Sequence, residues 1–366
     1  MTPVRVLFLQ RQPCIRTLKY AVALRSALPD IHLTFAFQGT TLTGYYGTGD
    51  EAFDEWIFLG EAAHPAAEIH RAIERARPDV IHSHNLPDLL TVIALEAADG
   101  RLPVIHDVHD MQALRQTPYC DGFPEPRDAA TLERRAIEGS AALVTVSPEL
   151  LEEIQARYRP PHDVVVFPNL ILARDLLPLV ERPLAGPPGI VYEGSLSTDG
   201  GHYDLREHFV HLVEQDLCVD VHPARPAPAY VELARPGLTI HDPVDPGALM
   251  RTLPGYGVGW AGFNQGLNNA HLDTVLPNKL FEYVAAGLAV ATLRHRALAR
   301  FVSGHGIGVV GDTVADLAAR LAEADLEAMR RRARSLRTEI TVEGAIGSLI
   351  DLYAKVAGRS MPARAA

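Results

Sequence analysis

Short apolar runs alternate with helical patterns in two long series along this 366-residue chain. The first series extends from Val4 to Phe167, and the second extends from Ile190 to Ala357. Continuous runs rich in valine, isoleucine and leucine are typical of parallel strands buried on both faces. Strands that alternate with helices form doubly wound sheets. We therefore predict an α/β fold with two doubly wound, Rossmann-like domains.

A stretch with four prolines and little periodicity, residues 171–189, separates the two series. Such a composition is typical of a linker between domains. We predict an N-terminal domain over residues 1–170 and a C-terminal domain over residues 190–340. An amphipathic helix over residues 341–358 ends the predicted structure.

The composition is that of a soluble globular protein, with 47% hydrophobic and 22% charged residues. The formal net charge of −11 argues against nucleic-acid binding, which needs a basic face. No apolar run approaches the roughly 20 residues that span a bilayer, and the N-terminus begins as a strand and not as a signal peptide. Three cysteines, Cys14, Cys120 and Cys218, lie far apart without metal-binding spacing. We expect a cytoplasmic protein with reduced thiols.

One helix of the second series has an N-terminus suited to an anion. Pro277 suits a first helical turn, and Gly287 offers a stop. The free N–H groups of a helix start attract phosphate, and Lys279 adds a positive charge there. Glu282 lies one turn further on the same face, where a carboxylate can accept two hydrogen bonds from ribose hydroxyls. The turn could hold a nucleoside diphosphate; the alternative is a plain capped helix with a Lys–Glu pair.

Polar segments also follow predicted strands of the first series, at the sheet edge where ligands collect. Arg11 and Arg16 could meet an anionic acceptor or donor phosphates, or could simply begin a solvated helix. His82–Asn85 contains a His-x-His pair, which we interpret as a polar wall because further metal ligands are missing. His106–Asp110 contains two His-Asp pairs. A neutral imidazole there can donate to a sugar hydroxyl or transfer a proton, unless the histidine is structural.

The run from Pro277 to Val290 resembles the donor-site motif of GT-B-fold glycosyltransferases of retaining family 4, in its Pro-Asn-Lys-x-Phe-Glu-Tyr form. Ser140–Ser147 and Val165–Asn169 resemble further segments of that family in the same order. The resemblance implies two domains that face each other across a cleft, with the last helix crossing back to the first domain. It implies a hexosyltransferase-like enzyme that uses a nucleoside diphosphate sugar with retention of configuration. No Asp-x-Asp motif stands in a suitable loop, so we expect no essential metal and no cofactor.

The resemblance also implies roles for individual residues. His109, beside the transferred sugar, and Lys279 are implied to be catalytic. The donor contacts implied around the motif are Asn278, Lys279, Glu282, Thr274, Gly194, Ser195, Gly200, Gly201 and His241. The acceptor-side residues are Arg11, Arg16, Asp110 and Arg115, the last within the irregular stretch 111–128, which is expected to border the acceptor cleft.

The chain departs from the family pattern at three places. It lacks a Gly-Gly pair after the first strand, it has Ser195 where many members have arginine, and Thr274 stands where many have a first acid. Gly200 and Gly201 could supply an anion-binding nest or form an ordinary turn. The sugar and the base stay open, although His241 lies where the family frames the base.

Two other functions remain open at this stage. A sugar-nucleotide 2-epimerase shares the fold, and a degenerate domain could bind sugar nucleotides as a partner protein. The lack of a Gly-x-Gly-x-x-Gly after the first strand argues against a dinucleotide dehydrogenase. The expected acceptor is a glycan, a lipid carrier or a small natural product. A basic face of the first helix, Arg16, Lys19 and Arg25, predicts weak peripheral contact with an anionic membrane.

Overall fold

The computed structural model describes residues 4–116, 128–179 and 189–358, which divide into two compact units. The first unit contains the described residues up to Leu114, those from Asp128 to Pro168, and Val342 onward. The second unit contains Asn169–Thr341 together with the short segment at Arg115. Part of the stretch 111–128 and about half of the linker 171–189 lie outside the described residues, as does Cys120.

The first unit is built on a parallel sheet of seven strands within the described residues. The strands are β1 (Arg5–Gln10), β2 (His32–Phe37), β3 (Glu55–Phe58), β4 (Val80–His84), β5 (Val104–Val108), β6 (Ala142–Thr145) and β7 (Val164–Val166). Their order is β3-β2-β1-β4-β5-β6-β7. The order reverses between β1 and β4, and the carboxyl ends of strands at such a point form a binding crevice.

Helices connect these strands and bury both faces of the sheet. They are α1 (Ile15–Ala27), α2 (Leu42–Tyr46), α3 (Ala66–Ala76), α4 (Asp88–Ala98), α5 (Ala129–Gly139) and α6 (Pro148–Arg157). The start of α6 shows why its sequence is helical. The Ser147 side chain accepts a hydrogen bond from the Leu150 amide, and Pro148 occupies the first turn. Such a cap stabilises a helix by about 1 kcal/mol.

The second unit repeats the pattern with six parallel strands in the described part of the chain. The strands are β8 (Ile190–Gly194), β9 (Val219–Pro223), β10 (Leu238–Ile240), β11 (Val258–Trp260), β12 (Ala289–Leu293) and β13 (Gly308–Gly311). Their order is β10-β9-β8-β11-β12-β13. The reversal between β8 and β11 again marks a crevice at the carboxyl ends.

Eight α-helices accompany this sheet within the described residues. They are α7 (Arg206–Glu214), α8 (Pro228–Val231), α9 (Pro246–Thr252), α10 (Asn269–Leu272), α11 (Asn278–Ala285), α12 (Arg296–His305), α13 (Val314–Glu323) and α14 (Leu326–Leu336). The core between sheet and helices is apolar and fully buried around Trp260, Tyr192 and Phe209. The last helix, α15 (Val342–Ala357), belongs to the first unit, where it packs against α1.

The predicted fold class, two doubly wound Rossmann-like domains, is confirmed by these two sheets. The edge strand β3 and the helix α12 were not predicted. The predicted basic face of α1 is wrong, because Arg16 and Lys19 are buried and Arg25 pairs with Asp54. No helix in the described part of the chain has the length and apolar character needed to cross a bilayer.

Candidate functional site

Tyr283 anchors α11 to the sheet of the second unit. Its ring lies over Gly259 of β11, where an added Cβ atom would stand 2.2 Å from the ring atom Cγ. Its hydroxyl accepts a hydrogen bond from the backbone N–H of Glu193, at 3.0 Å. Glu193 lies at the carboxyl end of β8. The start of α11 is therefore held beside the crevice between β8 and β11.

Lys279, in the first turn of α11, points its ammonium into a group of aromatic rings. The side chain is only 7% exposed, and Nζ has no hydrogen-bond partner among the described residues. Nζ lies 4.1 Å from the centre of the Tyr192 ring and 5.7 Å from those of Tyr203 and Phe263. Ring faces attract a cation but satisfy none of its N–H groups. The ammonium therefore keeps its full capacity to donate hydrogen bonds to an anion.

Glu193 and Glu282 form a carboxyl pair next to this ammonium. Glu193 is 5% exposed and hydrogen-bonded to Glu282, and its Oε1 atom has no partner in the described part of the chain. Burial, together with the nearby Glu282, raises the pKa of Glu193 well above its usual value. Burial also lowers the pKa of Lys279 to about 8, although both carboxyl groups act in the opposite direction. The raised pKa of Glu193 favours the neutral form of this carboxyl group beside the Lys279 ammonium.

Two further predicted donor residues lie at the end of β8. Gly194 has a φ of +121°, and a Cβ atom there would lie 3.5 Å from Nζ of Lys279. A side chain at this position would be strained and would crowd the ammonium. Ser195 is exposed, and its carbonyl accepts a hydrogen bond from the Tyr192 hydroxyl at 2.5 Å. Both residues lie close to the Lys279 site.

Asn278 and Thr274 border the start of α11. The side-chain carbonyl of Asn278 accepts a hydrogen bond from Asn169 at 2.5 Å. Thr274 is buried, and its hydroxyl donates to the His271 carbonyl at 2.7 Å. Because this bond uses the hydroxyl hydrogen, Thr274 cannot also donate a hydrogen bond to a ligand. Its hydroxyl shapes the loop instead.

The predicted anion nest at Gly200 and Gly201 is already occupied by the protein itself. The Gly200 N–H donates to Asp204 at 3.0 Å, and the Gly201 N–H donates to Asp199 at 2.9 Å. Two carboxylates in this turn would also repel a phosphate. We therefore leave both glycines out of the donor site proposed below.

His241 belongs to a separate cluster in the second unit. Its ring stacks on His222 at a centroid distance of 4.1 Å and an interplanar angle of 5°. Its Nε2 atom lies 2.6 Å from an Asp220 carboxylate oxygen, and Nε2 of His222 lies 3.1 Å from the Tyr256 hydroxyl. His222 on β9 is the register partner of Glu193 on the neighbouring strand β8. The stacked imidazoles thus lie at the carboxyl ends of β9 and β10, on the side of β8 away from β11.

In the first unit, a buried carboxylate gathers the polar residues that end the strands. Asp107 accepts hydrogen bonds from Nε of Arg16 at 3.1 and 3.2 Å and from the Tyr20 hydroxyl at 2.9 Å. Nε2 of His82 lies 3.3 Å from it, and the other nitrogen of His82 lies 2.6 Å from the hydroxyl of Tyr353 on α15. Despite burial, Arg16 holds the pKa of Asp107 well below its usual range. The ion pair and its hydrogen bonds fix the floor of this site.

His109 lies at the edge of that cluster and is the most exposed of its imidazoles. Its side chain is 20% exposed, and its Nε2 atom lies 3.0 Å from Nδ1 of His84 and 3.4 Å from Asp107. Its backbone N–H donates to the Asn85 side chain at 2.9 Å. Burial lowers the pKa of His109 to about 4, although Asp107 acts in the opposite direction. The imidazole is therefore neutral at physiological pH.

The predicted acceptor-side residues differ in burial and are divided between the two units. Arg16 is 3% exposed and donates to the Phe167 carbonyl as well as to Asp107, so it supports the interior and cannot reach an acceptor. Arg11 and Asp110 are half-buried in the first unit, and the Asp110 carbonyl accepts a hydrogen bond from Asn85. Arg115 is half-buried and belongs to the second unit.

His82, His84 and Asp107 have ligand atoms within 4.8 Å of one another, a geometry that could hold a metal ion. Their charge balance argues against one. Arg16 already neutralises Asp107, so a divalent cation would add uncompensated charge to a buried site. We therefore assign no metal to these residues.

His106, in the first of the two His-Asp pairs, is structural. It is fully buried, with Asp88 at 3.1 Å from one ring nitrogen and the Thr91 hydroxyl at 2.9 Å from the other. The Ser83 hydroxyl lies 2.7 Å from that of Thr91. Asp88, His106 and Thr91 follow one another as the acid, imidazole and hydroxyl of a hydrolase triad do. All three are buried, so no substrate can reach them. The partners of His106 satisfy both nitrogens of a core histidine.

Several residues of both clusters were missed by sequence reasoning. Strand β8 and loops supply Tyr192, Glu193, Tyr203 and Phe263, and helices α1 and α15 supply Tyr20 and Tyr353. One signal was present, because Glu193 is an acid at the end of an otherwise apolar strand run. A charged residue there is buried only when it is paired, which points to a site.

The two doubly wound units define the GT-B fold, and comparison with solved structures agrees. A glycosyltransferase from Rickettsia africae ESF-5 superposes with a TM-score of 0.68 at 12% identity, covering 98% of this chain and 100% of that chain. Alr3699/HepE of Anabaena, solved in complex with UDP, superposes with a TM-score of 0.67 at 11% identity, covering 95% of this chain and 98% of that chain. A candidate UDP-N-acetylglucosamine 2-epimerase from Listeria monocytogenes gives 0.61 at 15% identity, covering 98% of both chains. These identities are low, so the similarity concerns the fold.

Within that fold, residues 45–170 match the model of the glycosyl transferase 4-like domain. This stretch includes His82–Asn85 and His109 but ends before the α11 site. No curated protein matched this chain when sequences were compared.

Proposed function

We propose that this protein is a retaining glycosyltransferase that moves a sugar from a nucleoside diphosphate sugar to an acceptor hydroxyl. The observation that carries the proposal is the buried Lys279 ammonium, which has no hydrogen-bond partner in the described chain and begins a helix beside a carboxyl pair. An unsatisfied buried cation is costly unless a ligand completes it. A diphosphate supplies the oxygen acceptors and the negative charge.

The donor would bind along the first turn of α11. Lys279 and the backbone N–H groups at the start of that turn would stabilise the charge that develops on the leaving diphosphate. Glu282, one turn on, would accept hydrogen bonds from the ribose hydroxyls. The fold match to the UDP complex of Alr3699/HepE supports a nucleoside diphosphate of this kind, as does the glycosyl transferase 4-like match.

His109 would donate to a hydroxyl of the transferring sugar or of the acceptor. Arg16, Asp107 and His84 would keep its ring in position without touching substrate. No group in this assignment needs a metal or a cofactor. The acceptor is a glycan, a lipid carrier or a small natural product, and the chemistry of the described residues favours none of them.

Donor screening and turnover test the proposal. A thermal shift screen over UDP, GDP, ADP and dTDP sugars should raise the melting temperature with one base class, because a ligand that binds the native state stabilises it. The selected donor should then lose its sugar to an acceptor. The proposal fails if no sugar nucleotide raises the melting temperature, or if Lys279→Met and Glu282→Gln variants turn the donor over as fast as the parent.

A sugar-nucleotide 2-epimerase is the second candidate, supported by the fold match to the Listeria monocytogenes structure. The same assay separates the two. Incubation of the donor without acceptor would yield the free 2-epimer in that case, whereas a transferase leaves the sugar's C2 configuration unchanged. Binding of the donor with neither reaction would indicate a sugar-nucleotide-binding partner protein.

A further inference from the structure

We propose that His84 is a positioning residue that holds His109 in its Nδ1–H tautomer, so that His109 meets its ligand as a hydrogen-bond donor. The tautomer is a property of the free protein. Only its use on a sugar or acceptor hydroxyl rests on the function proposed above.

The contact between the two rings needs one hydrogen atom. Nδ1 of His84 lies 3.0 Å from Nε2 of His109, within the range of a good hydrogen bond. A neutral imidazole carries its hydrogen on one nitrogen only. Either His84 donates from Nδ1, or His109 donates from Nε2, and each choice fixes the other nitrogen of both rings.

Burial of the far nitrogen of His84 separates the two choices. Its Nε2 atom is buried and has no partner in the described chain. If His109 donated, His84 would have to carry its hydrogen on this orphaned nitrogen. If His84 donates, Nε2 is only an unused acceptor. Orphaned buried N–H groups are rarer in proteins than incompletely used acceptors, so donation by His84 is favoured.

Asp107 acts on both nitrogens of the contact. One carboxylate oxygen lies 3.7 Å from Nδ1 of His84, which favours a hydrogen there. The other lies 3.4 Å from Nε2 of His109 and favours the opposite arrangement. Both oxygens already accept from Nε of Arg16, at 3.1 and 3.2 Å, and both 3.7 Å and 3.4 Å are longer than a normal N–H···O bond. The 3.0 Å contact between the rings, and not Asp107, therefore determines which nitrogen carries the hydrogen.

Packing keeps His84 in this orientation. Its ring stacks on His82 at 4.6 Å with an interplanar angle of 12°, and on Phe8 at 5.9 Å. Nδ1 of His109 has no hydrogen bond within residues 4–116, 128–179 and 189–358, so it is the nitrogen left for a ligand. Bearing a hydrogen, it can donate to an oxygen of a hydroxyl or phosphate. It cannot take a proton from an acceptor hydroxyl, so His109 would not act as a general base.

Nitrogen-15 NMR of the full chain with labelled histidine tests this assignment. Long-range couplings distinguish protonated from unprotonated ring nitrogens, and a His109→Gln variant identifies the signals of His109. We expect a protonated Nδ1 and an unprotonated Nε2 at pH 7.5. His84→Phe removes the donor and should shift His109 toward the Nε2–H form, directed at Asp107. His84→Asn, whose side-chain amide can occupy the place of the Nδ1–H group, should restore the wild-type pattern.

A wild-type spectrum with the hydrogen on Nε2 of His109 overturns the proposal, even if the variants fail to fold. An unchanged His109 tautomer in a folded His84→Phe protein does the same. If the tautomer is as expected but no sugar transfer occurs, the proposed function fails and the role of His84 stands. With an active enzyme, His84→Phe should lower kcat/KM by about tenfold, the effect of one hydrogen bond, and His84→Asn should recover most of it.

Discussion

Nζ of Lys279 lies 4.1 Å from the centre of the Tyr192 ring and makes no hydrogen bond within the described chain. This pairing stabilises the ammonium through the ring face and leaves its three N–H groups unused. A buried ammonium with unused donors is poised for an anion that enters the crevice. The predictions below follow from this arrangement and from the Asp107 cluster of the first unit.

Replacement of Lys279 by methionine should weaken binding of a nucleoside diphosphate sugar by about 10- to 100-fold. The variant keeps the volume of the side chain but loses a charge-assisted hydrogen bond of about 1.5–3 kcal/mol. Isothermal titration calorimetry measures the change. Lys355→Met is the matched control, because Lys355 lies on the exposed side of α15 and pairs with Asp163. Equal affinities of the two variants would contradict the assignment.

Affinity for the donor should fall as the pH rises through about 8. The ammonium form of Lys279 binds the diphosphate, and burial lowers the pKa of its free form to about 8. Affinity should therefore be constant near pH 7 and fall by up to about tenfold per pH unit well above 8, by proton linkage. A nucleoside diphosphate sugar is the right probe, since its phosphates do not titrate in this range. An affinity that does not change from pH 7 to 9.5, or a pH dependence that persists in Lys279→Met, would count against the account.

Glu282 and Glu193 should respond differently to glutamine replacement. Glu282→Gln should weaken binding of a ribonucleoside diphosphate by about tenfold, because the amide accepts ribose hydroxyls poorly. The loss should vanish with a 2′,3′-dideoxy analogue. Glu193→Gln should keep affinity within about threefold, since its amide can still donate to Glu282 as the protonated acid does. An equal loss of affinity for both nucleotides in Glu282→Gln would show that Glu282 does not contact the ribose hydroxyls.

The alternation of apolar runs predicted both sheets, because strand and helix periods are local properties of the chain. The edge strand β3 was missed, since Glu55–Phe58 is short and mixes a charge with aromatic residues. The spacing of Lys279 and Glu282 on one helix was also readable, because it depends on one helical turn. The partners of Lys279 were not, since Tyr192, Tyr203 and Phe263 lie in distant segments that only the tertiary fold brings together.

Arg16 is a residue that was predicted to lie in the site but does not. An arginine near the start of a helix after the first strand was expected to face a ligand, but it is buried against Asp107. Nothing within α1 indicates this burial, because its carboxylate partner lies 91 residues further along the chain. Burial of Arg16 and Lys19 also removes the basic face from which contact with a membrane was predicted.

Acid should destabilise the first unit before the carboxylates titrate. Burial lowers the pKa of His109 from 6.5 to about 4, so between these values the unfolded chain binds a proton that the native state does not. Stability should therefore fall as the pH drops from about 6.5 to about 4, by about 3 kcal/mol for this group. The lowered pKa of Asp107 adds a further loss only at still lower pH.

The two tryptophans make this effect measurable in each unit separately. Trp56 belongs to the first unit and Trp260 to the second. With 5-fluorotryptophan labelling, fluorine NMR in urea should show the Trp56 midpoint falling between pH 7 and pH 5. His109→Asn should flatten that slope. A Trp56 midpoint that does not change between these pH values would contradict the account of the histidine cluster.

Gly259→Ala should both destabilise the second unit and weaken donor binding. The new methyl group would meet the Tyr283 ring at 2.2 Å, so α11 must shift. Overpacking of this kind costs about 1–3 kcal/mol. The control is Gly304→Ala in α12, where an added Cβ meets nothing within 4 Å. Thermal unfolding and calorimetry should show losses for the first variant and no loss for the second.

The most direct test is a crystal structure of the protein with the nucleoside diphosphate that raises its melting temperature most. The account predicts the diphosphate within hydrogen-bond distance of Nζ of Lys279 and the first turn of α11, with the ribose hydroxyls on Glu282. A nucleotide bound elsewhere, with the Lys279 ammonium still facing only Tyr192, would contradict it.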